Sequence, residues 1–395
     1  MIIFHPQIIQ ILSLQFSQKL FNPQFPKNKM EAKTILISSI TLIAIAIIIV
    51  LLFFISESSF QSPTNLEECK TAAFNGENKV NLVFFATKEN TQKYSNFFLQ
   101  TSPFNENKDS FNFYYIDSYE PECEIYQEQA ILCKEKEITQ KAASCPHDFI
   151  IVIKDLDDVS LRSSAYKNII SLNSKHQSSV LTHEFGHVFA NLADEYIPAI
   201  IPKGSKNCAS SCDNFPENID GCFQGCSKDN YYRSIDKGVM RTLSTNSYGI
   251  LNENIVSEKI PKQNTLTGQA TSDLNAECSE QEYYLIKGFV KDSKIEIQQQ
   301  TIEQGCAPSI TSGDYIYKIT GEKTLEGNFN PKLIFTDAQK LNEQEIQGAV
   351  FEYEGEFYLS IPKIGKANSI EILGNSQQQI QQVNFEELSS FPCKI

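Results

Sequence analysis

Leu181 to Tyr196 reads LTHEFGHVFANLADEY, and both the fold and the chemistry of the chain turn on this stretch. It contains His183-Glu184-Phe185-Gly186-His187, an H-E-x-x-H motif. On a helix, residues four apart share a face, so the two imidazoles reach one ion. Glu184 sits beside them, where it can accept a proton from a water activated by that ion. Leu181, Phe185, Val188, Phe189 and Leu192 recur at helical spacing and form one apolar stripe, roughly opposite the histidines. The pattern predicts a helix packed by its back, with both histidines turned to a cleft.

A catalytic zinc takes three protein ligands and keeps one position open for water. Asp194 and Glu195 follow closely, but a straight helix would carry Asp194 about 10 Å beyond His187 along the axis. A carboxylate from this pair therefore reaches the ion only if the helix ends near Ala190–Leu192 and the chain folds back. Asp194 is the favoured third ligand and Glu195 the alternative. Pro198 stops any helix soon afterwards.

The chain has 395 residues, enough for two domains, and a net charge of −14 with no basic cluster past the N-terminal lysines. That balance argues against nucleic acid as a partner. None of the eleven cysteines precedes Cys69, which points to an oxidising compartment for everything after the first sixty or so residues. Ile35–Ile55 is apolar and uncharged, as long as the ~20 residues that span a bilayer. Lys27, Lys29 and Lys33 precede it, and Glu57, Glu67 and Glu68 follow. The positive-inside rule then puts the N-terminus in the cytoplasm and the rest of the chain outside, at the cell membrane. A cleaved signal peptide is the alternative. The expected domains are a cytoplasmic tail over 1–34 (with Met30 a possible true start), a transmembrane anchor over 35–55 and a polar stalk over 56–78. A zinc-binding domain over 79–262 and an all-β domain over 275–395 complete the chain.

Val80–Thr87, Phe111–Ile116, Phe149–Ile153 and Ala165–Leu172 read as strands, with a helix over Gln92–Gln100. Strands separated by helical or loop segments imply a mixed α/β layer. Cys208-x-x-x-Cys212 and Cys222-x-x-x-Cys226 can hold a structural zinc, but two disulfides suit an extracytoplasmic chain better. Met240, in Gly238-Val239-Met240-Arg241, is a Met-turn candidate that would floor the metal site. Tyr232 and Arg233, close to that turn in sequence, are candidates for stabilising an oxyanion. Past a polar linker, seven short strands between Tyr283 and Leu373 suggest a β-sandwich without a catalytic motif.

These residues resemble the immunoglobulin-A peptidase family of zinc metallopeptidases, over roughly 79–260. H-E-F-G-H followed by Leu192-Ala193-Asp194-Glu195-Tyr196 carries most of the resemblance. Ser102-Pro103-Phe104, Phe111-Asn112-Phe113-Tyr114, Gly221-Cys222-Phe223-Gln224-Gly225, Tyr232-Arg233-Ser234 and Val239-Met240-Arg241 are similar to blocks around that family's site. The segment Val159–Lys175 departs from it, with Ser, Lys and Asn where a glycine-rich edge is expected. The resemblance implies that His183 and His187 bind zinc, that Glu184 is the catalytic base, and that the third ligand comes from the Asp194-Glu195 pair.

The expectation is thus an α/β zincin-like metallopeptidase domain, with an N-terminal transmembrane helix and a C-terminal all-β, sandwich-like domain. Its expected activity is that of a membrane-anchored zinc endopeptidase acting on protein or peptide substrates with one catalytic Zn2+. Two other readings stand beside it. One is a cell-surface binding or adhesion protein with a vestigial metallopeptidase domain; the other is a zinc amidase that does not cut peptides.

Overall fold

The computed structural model describes residues 66–261, 277–292, 294–309, 312–338, 346–374 and 379–385. The chain enters on an edge strand, β1 (Lys70–Ala73), followed by β2 (Val80–Phe85), which is buried on both faces as its apolar run requires. Thr87 caps α1 (Lys88–Phe98), its hydroxyl accepting from the Asn90 amide at 3.3 Å. α1 returns the chain to β3 (Phe111–Ile116), parallel to β2. A disulfide-closed hairpin, β4 (Cys123–Tyr126) and β5 (Ala130–Cys133), leads to α2 (Glu135–Ala142). β6 (Phe149–Lys154) then pairs parallel with β2 on its other side.

The sequence reads as one strand over 165–172, but the structure makes a hairpin there. Lys167, at φ 56°, turns the chain between β7 (Ser163–Tyr166) and β8 (Ile169–Asn173). β8 runs parallel to β6 and delivers the chain to α3 (Ser179–Ala190), the helix of the H-E-x-x-H motif. The apolar stripe of α3 packs into the main core. Phe185 meets Phe149, Phe98 and Phe104 edge-on, with centroids 5.0, 5.1 and 5.6 Å away. Burying a ring of this size contributes roughly 2–3 kcal/mol. β9 (Phe223–Cys226), β10 (Lys228–Arg233) and α4 (Ile250–Lys259) complete this half of the chain.

The C-terminal half is antiparallel throughout. β11 (Glu282–Lys291) lies between β12 (Lys294–Gln304) and a later strand, β17 (Gly355–Pro362). A second small sheet has the order β14 (Leu325–Phe329), β13 (Tyr315–Gly321), β18 (Ala367–Leu373), β19 (Gln379–Asn384). Ile286, Ile319, Phe357 and Ile370 share the core between these two sheets. β15 (Leu333–Ala338) and β16 (Gln347–Glu352) leave both of them. They extend the main sheet to eight strands, in the order β1-β3-β2-β6-β8-β7-β15-β16.

Three expectations are corrected here. The described residues hold nineteen strands against four α-helices, so they do not build an α/β zincin-like domain with a separate β-sandwich behind it. The boundary fails because β15–β16 joins the main sheet, and sheet partnership is set by hydrogen bonding to a distant edge that local pattern does not encode. The membrane-anchored localisation is set aside as well. No helix among the described residues is long and apolar enough to cross a membrane. The longest, α3, has 12 residues, or about 18 Å, against a ~30 Å hydrocarbon core. The span proposed at Ile35–Ile55, with the tail before it, lies outside the described residues. The stretch read as a stalk to residue 78 contains β1, and Cys69 is bonded to Cys145.

One buried ion pair holds the two halves together. Lys167, in the β7–β8 turn, donates to the Glu135 carboxylate on α2 and to the Tyr358 carbonyl on β17. Burial pushes the Glu135 carboxyl up and the Lys167 ammonium down, each opposed by the charge of the other. Lys167→Met strands Glu135 without its cation and is expected to lower stability by about 3–5 kcal/mol in urea unfolding at neutral pH. Adding Glu135→Gln should restore most of that loss. An equal loss in the single and double variants would assign the effect to packing alone.

Candidate metal centre

α3 ends at Ala190, and Asn191 adopts the left-handed conformation, φ 55° and ψ 37°. Asn tolerates that region better than most residues, so the chain can turn back at once. The Leu192 carbonyl thereby accepts from His187 Nδ1 at 2.7 Å. The Val239 carbonyl accepts from His183 Nδ1 at 2.8 Å. A carbonyl only accepts, so both rings carry their proton on Nδ1 and present an Nε2 lone pair to the same point. The two Nε2 atoms are 3.2 Å apart.

The reversal brings Asp194 to that point. Its Oδ1 is 3.3 Å from His183 Nε2 and 3.2 Å from His187 Nε2. A fourth donor comes from the far end of the chain. Asp337, on β15, places Oδ2 3.1 Å from His183 Nε2 and 4.0 Å from His187 Nε2. Two residues earlier on the same face of the strand, Phe335 stacks on the His187 ring at 4.0 Å and 12°. The reading of the sequence missed Asp337. Its one signal was an acid, in phase with Phe335, in a mostly apolar strand, LIFTDA.

Burial alone would push the Asp194 carboxyl up, but positive charge at the His187 and His183 rings, the place a bound cation would take, outweighs it and holds Asp194 well below the usual carboxylate range. Glu184 moves the other way. Burial first, and then the charge of Asp337, push its carboxyl well above its ordinary value. Both Glu184 oxygens are buried without a hydrogen-bond partner. His183, Glu184, Asp194 and Asp337 have no exposed surface, and His187 is 3% exposed. The histidine face of α3, expected to look into a cleft, is covered.

Glu195 is not part of the cluster. Its Oε1 accepts from Asn252 at 2.9 Å and Asn207 at 3.3 Å, and burial raises its carboxyl to about 7. It anchors the reversed segment to α4. Met240 lies under α3. A side chain at Gly186 would sit 2.9 Å from the Met240 sulfur and 3.1 Å from the Tyr248 ring, which is why the motif carries glycine there. The Met240 carbonyl accepts from the Glu195 amide at 2.8 Å, which ties this turn to the reversed segment.

The oxyanion candidates fare differently. Arg233 donates to the Gln224 and Gly225 carbonyls and to Asp236, and Tyr232 pairs with Ala209 and Gln224. Neither side chain has a described contact with the donor cluster. Tyr196 lies beside the two aspartates: its phenol is pushed well above its ordinary value by burial first, then by the charges of Asp194 and Asp337. The four cysteines of the loop form nested disulfides, Cys208–Cys226 and Cys212–Cys222, and hold no ion.

Three of the donors, on His183, His187 and Asp194, stand at the mutual spacing of ligands to one tetrahedral ion, and Asp337 approaches the same point from His183's side. Bonds of 2.0–2.1 Å imply donor–donor edges of about 3.3 Å. Four of the five distances above lie between 3.1 and 3.3 Å. All four donor atoms fall within 4.8 Å of one another. The carboxylate oxygens of Asp194 and Asp337 have no hydrogen-bond donor, the condition of groups that wait for a cation. The protein class defined by fold and site is therefore a β-rich protein with a buried two-histidine, two-aspartate group that could hold a metal ion. No family model matches the chain, and no curated protein matches it. The resemblance to immunoglobulin-A peptidases rests on its motif residues alone.

Proposed function

We propose that the protein is a zinc-dependent peptide hydrolase whose catalytic residues are His183, His187, Asp194 and Glu184. The observation that carries this reading is Glu184, a buried carboxylate with both oxygens unbonded, on the same helix as two histidine donors. A group so costly to bury is kept for chemistry more often than for packing. Two imidazoles and carboxylate oxygen in a tetrahedral set suit zinc. Zinc, when bound there, supplies a Lewis acid for the scissile carbonyl. The Val239 and Leu192 carbonyls keep the imidazoles in the ligating tautomer. Glu184 takes the proton of the attacking water and returns it to the leaving amine. The Tyr196 hydroxyl is a neutral donor at the site for the developing oxyanion.

A second reading is favoured by one observation, the complete set of four protein donors. Structural zinc sites are closed in this way, whereas catalytic ones keep a position open. To test the first reading, the chain and its Asp337→Ala variant are loaded with zinc and incubated with a peptide library, and the cleaved bonds are identified by mass spectrometry. The expected result is one zinc per chain and amide-bond cleavage that a chelator abolishes and added zinc restores. Full zinc content with no cleavage by either protein would sink the hydrolase and leave the structural centre.

A further inference from the structure

β7 holds the key position beside α3. On one side it pairs with β8 and on the other with β15. Without β15–β16 it would be an edge strand, and the free N–H and C=O groups of such an edge form a template for an extended peptide. In this chain the template is filled from within. β15 lies antiparallel on β7, with Ile334 opposite Tyr166, Phe335 opposite Ala165, Thr336 opposite Ser164 and Asp337 opposite Ser163. From that register Asp337 reaches the donor cluster and Phe335 covers His187.

We propose that β15–β16 is an intramolecular occupant of the substrate position, so that the chain as folded is latent. The substrate it mimics is an extended polypeptide that pairs antiparallel with β7 once the hairpin has left. This inference rests on the peptide-hydrolase reading and adds to it the substrate's conformation and a block on the site. Three independent observations converge on it. The strand geometry is that of peptide addition to a sheet edge. The fourth donor position, which a catalytic ion leaves to water, is filled by Asp337. The motif helix and its acids are closed to solvent.

Gly348 allows the hairpin to be moved without replacing a donor. It stands opposite Asp337 on β16, and a Cβ there would collide with the Tyr196 hydroxyl and Asp337 Oδ1. Gly348→Val therefore pushes the hairpin off the site, while Asp337→Ala removes the carboxylate that fills it.

The test uses the full chain, loaded with zinc, titrated with a peptide hydroxamate by calorimetry in three forms: wild type, Asp337→Ala and Gly348→Val. Zinc content and near-ultraviolet circular dichroism are recorded for each. A hairpin that occupies the site nine-tenths of the time or more weakens apparent affinity about tenfold or more. Both variants should therefore bind the probe at least ~10-fold more tightly than wild type, with one zinc each. Amide hydrogen exchange over 163–166 should quicken in both and slow again when the probe binds. Equal affinity in all three forms would overturn the proposal. So would loss of zinc from Asp337→Ala together with wild-type affinity in Gly348→Val, because Asp337 is then a permanent ligand. If Gly348→Val fails to fold, the Asp337→Ala result decides alone: tighter probe binding supports the occupant, and unchanged binding or lost zinc rejects it. Tighter probe binding without peptide cleavage would uphold the occupied site and reject the hydrolase, so the two failures are distinguishable.

Discussion

Glu184→Gln, made in the Asp337→Ala background, is expected to lower peptide hydrolysis by about 10²- to 10⁴-fold while zinc content stays at one per chain. Adjacent residues on a helix point ~100° apart, so Glu184 cannot easily join the ligand set with His183. It is also outside the four-donor group. Its two oxygens accept no hydrogen bond, so the amide forfeits none. Gln removes the buried charge and keeps the size, so folding should be retained or slightly improved. What is lost is the base that accepts the water proton. The measurement pairs initial rates on a peptide found in the library digest with metal analysis of the same sample. A fully active Glu184→Gln protein would end the proposed mechanism. A variant that loses its zinc would make Glu184 part of the metal site.

Asp194→Asn is expected to weaken zinc retention by about 100-fold or more in competition with a chromophoric chelator, and activity with it. Substitutions merely behind the ligands commonly cost 10- to 100-fold in metal affinity, and Asp194 lies among the donors themselves. A neutral amide is a poor zinc ligand and leaves two imidazoles without the carboxylate that faces both. Glu195→Gln is the control. Its carboxylate accepts from Asn207 and Asn252 and is turned away from the cluster, so zinc should be held as in wild type. Zinc loss in Glu195→Gln with full retention in Asp194→Asn would exchange the two roles and contradict the geometry described above.

Latency and metal binding make opposite demands on Asp337. As a ligand it tightens the ion; as an occupant it blocks the position a water needs. The same carboxylate raises the cost of ionising Glu184 beside it. Moving one hairpin would relieve both effects at once, and this is why the Gly348→Val form, in which no donor is replaced, separates the two roles more cleanly than Asp337→Ala.

Much of the site was legible in the sequence because it is local. A period of 3.6 residues puts His183 and His187 on one face of α3 and Phe185 and Phe189 against the sheet, whatever surrounds them. The axial rise of a helix likewise implies that Asp194 reaches the ion only after a reversal, which Asn191 makes. β2, β3 and β6 were readable because strands buried on both faces leave unbroken apolar runs. The β7–β8 hairpin was not, since Lys167 turns the chain with no glycine to announce it. Cysteine pairing, and the position of β15 against β7, depend on which distant segments meet. Nothing in the residues 333–338 themselves states which edge they complete or what Asp337 faces. Sequence alone determined a helix with two histidines on one face and an apolar stripe on the other. Only the tertiary structure decided that a strand from the far end of the chain closes it, because hydrogen bonds between strands are formed by backbone groups that every residue carries alike.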